Sequence, residues 1–274
     1  MFIEVDKEVS VGDLLKGVII QSGNDASVAL AEHISGSEEV FVSIMNQYAQ
    51  DLGMTGTHFM NSTGLPDPEH YTTARDMATL AAALIRDHPD IYALHSVKEF
   101  TYNDIKQHNR NQMLWRDDTV DGIKTGHTES AGYCLVASAK RNNMRLISVV
   151  MGTEGTKART RATQSLFNFS FRFFETHQLY KAGESITSSK VWKGEKESFD
   201  VGIVDDLYVT VPRGKYKQLD AAIELSPTIV APINKADVQG SLKISLDGEE
   251  LANRPLIALQ AVALGSFINR IKDD

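Results

Sequence analysis

The feature that most constrains this chain is a change in the spacing of its apolar residues. Up to Pro89 they recur at helical intervals, and beyond it they mostly alternate in short runs bounded by turn residues. Ser10, with Asp13 three residues later, predicts a helix start, and Leu14, Leu15, Val18 and Ile19 supply its stripe. That helix is predicted to end near Ser22-Gly23-Asn24, after which Asp25 is expected to cap a second, nearly all-apolar helix through Ile34. A third helix is predicted over Glu38 to Leu52, with Phe41, Ile44, Met45, Tyr48 and Leu52 on its apolar side and Gly53 as its stop. Asn61 to Thr72 reads as a loop, and Thr73 with Asp76 opens a helix to about Asp87.

Beyond Pro89, Lys98 to Tyr102 and Val120 to Thr125 read as strands, and Tyr133 to Lys140 with Arg145 to Met151 as a hairpin turning at Asn142-Asn143. Thr156 to about Glu175 returns to helical spacing, with Leu166, Phe167, Phe169 and Phe173 as its apolar residues. Helices on both sides of a run of strands imply an α+β domain, helices against a largely antiparallel sheet. From about His177 short β-rich stretches (Val201 to Val204, Leu207 to Val211, Ala221 to Leu225, Ser241 to Leu246) predict a small all-β domain, placing the boundary near residue 176.

Several functional classes are excluded early. The 274 residues carry a net charge of -8 and no basic run, which argues against nucleic acid. The runs Leu14 to Ile20 and Leu256 to Leu264 are too short to span a bilayer. Cys134 is the single cysteine, so no disulfide forms within the chain, and a buried thiol is expected. The eight histidines lack metal-ligand spacing, and neither a calcium loop nor a phosphate-cradling glycine loop occurs, so no cofactor is expected.

Two short patterns remain, Ser22-Gly23-Asn24 at a helix junction and Lys124-Thr125-Gly126 at a predicted strand end. Ser-x-Asn alone is expected about once by chance in such a chain, with a plain helix cap as the ordinary role of Asn24. Lys-Thr-Gly is rarer, and the pair in this order and context suits acyl transfer to a carboxylate-bearing peptide. Lys124 can hold the field and proton traffic of a serine site, and Thr125 can donate to a substrate carboxylate. Gly126 admits a close backbone, so a substrate can lie along the strand by β-addition. The backbone N–H of His127 can meet a developing oxyanion, and Ser22 can relay a proton to a leaving amine.

With these elements the chain resembles the low-molecular-mass D-alanyl-D-alanine carboxypeptidases of the penicillin-binding proteins, which use Ser-x-x-Lys, Ser-x-Asn and Lys-Thr-Gly. The stretches Gly17 to Ala31, Asp121 to Thr128, Arg145 to Thr153 and Phe171 to Thr176 are similar to that family, and the likeness covers nearly the whole chain. It implies an incomplete transpeptidase/β-lactamase-like domain over residues 1 to 175 and a β-rich domain over 176 to 274. It implies catalytic roles for Ser22, Asn24 and Lys124, and substrate contacts from Thr125, Gly126, His127, Arg159 and, more weakly, Arg110. Arg159 falls where the family binds the terminal carboxylate, although a plain surface arginine is the competing reading.

One element is missing: no serine here has lysine three positions later. The expectation is therefore a chain lacking its N-terminal part, export signal included, and inactive as written, since the nucleophile and its base are absent. The resemblance implies peptidoglycan stem peptides and β-lactams as partners, a periplasmic location, and a C-terminal membrane anchor that is absent or a stub at Phe267 to Asp274. A noncatalytic peptidoglycan-binding or cell-shape protein and a β-lactamase-like hydrolase are the alternatives.

Overall fold

The computed structural model describes residues 1 to 266, so the expected anchor stub at Phe267 to Asp274 lies outside the described residues. The chain divides into two compact units, Met1–Arg172 and Phe173–Asp274.

In the first unit, α1 (Val11–Lys16) starts as expected: Ser10 accepts the Asp13 N–H at 3.1 Å, answering one of the orphan donors of a helix N-terminus. The last turn, Gly17–Gln21, widens to π-helix and stops at Ser22, which takes the left-handed conformation at φ 58°. Asp25 is not the cap of α2 (Asn24–Ser35); Gly23 holds that position without a side-chain bond. The Asp25 carboxylate instead accepts the N-terminal ammonium at 3.0 Å and the Ile3 N–H at 3.1 Å. Met1, Leu14, Ile19, Ile20, Ala26, Leu30 and Phe100 form one core cluster here.

α3 (Glu38–Asp51) ends at Gly53 with φ 74°, but its expected apolar side is largely uncovered. Ala49 is its buried residue, whereas Ile44 and Tyr48 are exposed. α4 (Ala74–Asp87) is capped by Thr73, which accepts the Asp76 N–H at 3.1 Å. The short α5 (Pro89–Tyr92) and a 3-10 turn lead to the hairpin of β1 (Glu99–Tyr102) and β2 (Ile105–His108), then to α6 (Met113–Arg116). Strands β3 (Val120–Thr128), β4 (Gly132–Arg141) and β5 (Met144–Thr153) form an antiparallel sheet in chain order, with Asn142 at φ 53° in the expected tight turn. Ala81 of α4 packs with Tyr92, Ile123 and Val136.

α7 spans Thr156–Phe173, ending two residues before the expected Glu175 because Phe174 already begins a strand. Its buried residues are Arg159, Thr160, Thr163, Phe167 and Phe171; of the expected apolar residues only Phe167 is among them.

Among its described residues from Phe174 on, the regular structure of the second unit is all β apart from one 3-10 turn at Tyr216–Gln218. β6 (Phe174–Tyr180) pairs with β9 (Leu207–Pro212). The other strands are β7 (Thr187–Lys190), β8 (Ser198–Gly202), β10 (Leu219–Leu225), β11 (Val238–Leu246) and β12 (Glu249–Ala258), in the order β10-β11-β12-β8-β7. Inward residues alternate along β9 (Leu207, Val209, Val211) and join Ile203, Leu242, Ile244 and Leu256 in one apolar cluster, as a two-layer β core requires. Phe199, Val201, Ile229 and Val262 belong to a second.

Candidate functional site

In the first unit, the residues singled out by sequence meet in one cleft of ≈ 750 Å³. Ser22, Asn24, Arg110, Lys124, Thr125, Gly126, His127 and Arg159 all line it. The helical corner puts Ser22 there because the widened turn ends in a left-handed residue, a conformation a non-glycine side chain adopts at some cost. Gly23 then donates to the Gly17 carbonyl at 3.1 Å, closing the corner and directing the chain into α2. Asn24 is the first residue of α2 rather than its cap, exposed into the cleft.

The opposite wall is β3, whose other neighbour is β4, so its outer edge carries no strand among the described residues. The Lys124 ammonium donates to the Ser22 hydroxyl and, at 3.0 Å, to the Thr125 carbonyl. Burial, reinforced by the nearby Arg110 and Arg159 charges, pushes the Lys124 pKa down to about 8. Among the described residues no aspartate or glutamate lines the cleft, so three cationic side chains face one space in a chain of net charge -8. Such a cavity favours an anion.

Arg159 is not a surface arginine. It is 6% exposed, it donates to the Gly126 carbonyl at 3.0 Å and the Cys134 carbonyl at 3.2 Å, and its guanidinium lies 5.6 Å from the Tyr133 ring centre. Burial lowers its pKa from the ordinary arginine value. Gly126 and Cys134 are register partners, so one arginine bridges β3 and β4. Arg110 donates weakly to the Gln21 side chain at 3.5 Å. His127 faces its partner Tyr133, ring centres 3.9 Å apart.

Behind β3 lies a set of buried polar side chains. Asn111 donates to the Gly122 carbonyl at 3.0 Å and accepts the Met113 N–H at 3.1 Å, while Asn109 accepts the Asn111 N–H at 2.9 Å. These two asparagines fix the backbone on either side of Arg110. The His95 Nδ1 lies 2.9 Å from the Ile123 carbonyl, and burial holds its pKa below the usual histidine value. Asp121 takes two bonds from Arg145, at 2.9 and 2.7 Å, and one from the Tyr92 hydroxyl.

The sequence reading missed part of the lining: the loop Thr63–Leu65, Gln112, Tyr133 and Thr156. The loop is shaped by Asn61, whose side-chain oxygen accepts the N–H groups of Thr63, Gly64 and Leu65, an Asx-type turn for which Asn61 itself is the available signal. Ser27 of α2 ties the loop down by donating to the Ser62 carbonyl at 3.1 Å. Cys134 is half-buried and lines the cleft, contrary to the buried thiol expected of it. Among the described residues no group of side chains could hold a metal ion, and no helix is long and apolar enough to cross a membrane.

Comparison with known proteins gives consistent relatives. Residues 1–155 match the D-alanyl-D-alanine carboxypeptidase family, and residues 174–264 match the penicillin-binding protein 5 C-terminal domain family. The chain is 46% identical to the Escherichia coli D-alanyl-D-alanine carboxypeptidase DacC, over 100% of this chain and 69% of that protein. It is 45% identical to DacA of Haemophilus influenzae, over 100% of this chain and 70% of that protein. Penicillin-binding protein 5 of Haemophilus influenzae superposes with a TM-score of 0.88 at 46% identity, covering 96% of this chain and 77% of that one. With two thirds of such relatives spanned and both family models matched, the chain belongs to the serine-type D-alanyl-D-alanine carboxypeptidases of the penicillin-binding protein family.

Proposed function

We propose that the cleft binds the D-Ala-D-Ala end of a peptidoglycan stem peptide, and β-lactams that mimic it, with Ser22, Asn24 and Lys124 in the reaction machinery. The observation that carries this reading is the Lys124 ammonium bonded to the Ser22 hydroxyl in a cleft ringed by Arg110 and Arg159. The substrate extends along the open edge of β3, its terminal carboxylate held by the Thr125 hydroxyl and the Arg159 charge. A Cβ at Gly126 would meet nothing closer than the Cys134 Cβ at 3.8 Å, so the fold itself does not require glycine there. The space above Gly126 is left for the ligand backbone. His127 supplies its N–H to the oxyanion, and Ser22, bonded to Lys124, passes a proton to the departing D-Ala nitrogen.

In acyl transfer a serine oxygen attacks the scissile carbonyl, D-Ala leaves with the relayed proton, and water then cleaves the ester. The family's attacking serine sits in Ser-x-x-Lys, and these 274 residues contain no such pair. We therefore assign the chain as given to binding without acylation, in the periplasm where its substrate lies. Incubation with a fluorescent penicillin should leave the protein unlabelled after denaturation, and covalent label would overturn the inactivity. Titration with a peptide ending in D-Ala-D-Ala should show reversible binding that Lys124→Ala and Arg159→Ala each weaken at least ten-fold. A peptide that binds equally well to both variants would remove the site assignment.

A further inference from the structure

The loop that supplies Thr63–Leu65 to the cleft wall belongs to neither tripeptide motif. Its ends meet in a β-bridge between His58 and Tyr71, the form of a compact Ω-loop. Irregular surface segments of this kind are mobile unless something ties them down. Among the described residues, the hydrogen bonds that tie this loop to the rest of its unit come from α3 and from Ser27 of α2. Phe59 donates its N–H to the Asn46 side-chain oxygen and accepts from the Asn46 side-chain nitrogen, both at 2.8 Å. Glu38, the first residue of α3, accepts the Ser62 N–H at 2.9 Å and the Ser62 hydroxyl at 2.7 Å on one carboxylate oxygen.

Hydrogen bonds to an ionised group are the stronger kind, and the Ser62 hydroxyl first, then its N–H, hold the Glu38 carboxyl below the usual glutamate range. Ser62 is fixed from the other side as well, because its carbonyl accepts the Ser27 hydroxyl. From this anchor the tip is shaped locally: the Asn61 side chain accepts three backbone N–H groups and donates to the Leu65 carbonyl at 3.0 Å. Leu65 is thereby displayed at the cleft, 54% exposed. It offers an aliphatic surface in a space that also holds three cationic side chains.

We propose that Glu38 is a positioning residue for the cleft: acting through Ser62, it sets the Ω-loop so that Leu65 packs on the aliphatic part of the bound peptide. The inference rests on the peptide-binding reading given above and adds to it a residue that is not part of the cleft lining. Terminal carboxylate recognition stays with Thr125 and Arg159, while the loop acts on the residue that precedes the D-Ala-D-Ala end. A loop held in its bound conformation costs less to order when ligand arrives, so the Glu38 bonds contribute to affinity without touching the peptide. The role also accounts for α3, whose polar side chains grip the loop although its apolar side stays largely uncovered.

The test is calorimetric titration of the intact chain with acetyl-norleucyl-D-Ala-D-Ala. Leu65→Ala should weaken binding about five-fold through the lost aliphatic contact, and Glu38→Ala by a similar factor. Because both remove the same contact, the double variant should lose no more than about five-fold in all. Glu38→Gln, whose amide oxygen still accepts both Ser62 donors, should stay within about two-fold of the wild type. Glu39→Ala, which removes the neighbouring exposed acid from the same turn of α3, should bind like the wild type. If Glu38→Ala does not fold, Ser62→Ala removes one bond of the pair from the loop side and enters the same cycle with Leu65→Ala. Losses that multiply to about twenty-five-fold in the double variant, or an equal loss in Glu39→Ala, would overturn the proposal, since either shows a role outside the loop. Binding lost in Lys124→Ala but unchanged in Glu38→Ala would overturn this inference alone, and binding that survives Lys124→Ala would remove the peptide-binding reading together with it.

Discussion

The two units bury different kinds of residue. Of the eleven buried polar side chains among the described residues, ten (Asp76, His95, Gln107, Asn109, Asn111, Ser138, Ser148, Arg159, Thr160 and Thr163) lie in the first unit, and Gln239 lies in the second. Unpaired buried polar groups are costly, so a unit that accumulates them needs a reason other than stability. In the first unit several of them converge on β3, holding its backbone from behind and Arg159 from the side. The second unit closes on apolar clusters, and among its described residues there is no comparable network. Buried polarity here marks where geometry must be held to a fraction of an ångström, which is what a site needs and a packed core does not.

The strongest challenge to this contrast is Phe199→Ala, which empties a nearly inaccessible position in the second unit. A loss of about 3–5 kcal/mol is expected from lost burial and the remaining cavity. Chemical denaturation reads it, and ligand binding in the first-unit cleft should survive in the folded fraction. Next comes Asn111→Ala, which strands the Gly122 carbonyl and the Met113 N–H. It should cost about 2–3 kcal/mol and also weaken carboxylate ligands, because β3 loses a support next to Lys124. A stability loss with unchanged affinity would show that the network is only structural.

Lys124→Met sharpens the comparison in the opposite direction. The folded pKa of about 8 lies below the unfolded reference of 10.5, so the protonated lysine opposes folding. That penalty is complete below about pH 8 and disappears as pH rises to 10.5, so wild-type stability gains over this window. The methionine variant should lack that gain, be more stable at pH 7 by about 1–2 kcal/mol after allowance for solvent screening, and bind a carboxylate ligand at least ten-fold more weakly. In the wild type, affinity for a carboxylate should fall as pH rises through about 8, measured by calorimetric titration. The smallest effect is expected of Thr73→Ala, which removes a cap that is not part of the cleft lining and should cost about 1 kcal/mol with affinity unchanged.

What was legible in the sequence follows from how local each interaction is. The caps at Ser10 and Thr73 and the Asn142-Asn143 hairpin depend on neighbours a few residues away, and all three are present. Asp25 misled because its carboxylate is taken by Met1 and Ile3, long-range partners that no spacing rule contains. Every strand that the apolar pattern predicts differs from the observed one at one or both ends, β3, β8 and β11 by three residues at one end, and β2, β6, β7 and β12 have no predicted counterpart, since polar or mixed strands such as Thr187–Lys190 carry no apolar alternation. In the cleft, tripeptide motifs located Ser22, Asn24 and Lys124. The Thr63–Leu65 loop and the half-buried Cys134 became visible only once β3, β4 and α2 were assembled in space.

The arginine that spans Gly126 and Cys134 has one more consequence. Because its guanidinium is tethered to both strands of a hairpin, the positive end of the cleft cannot swing to meet ligands of different reach. On the roles proposed above for Arg159, Ser22 and Lys124, the separation between the arginine and the Ser22–Lys124 pair would act as a ruler, and a ligand whose carboxylate sat one backbone atom too near or too far would leave either the proposed anchor or the proposed relay unsatisfied. Selectivity for chain length at the C-terminal end would then come from a rigid span rather than from the identity of any side chain on the ligand.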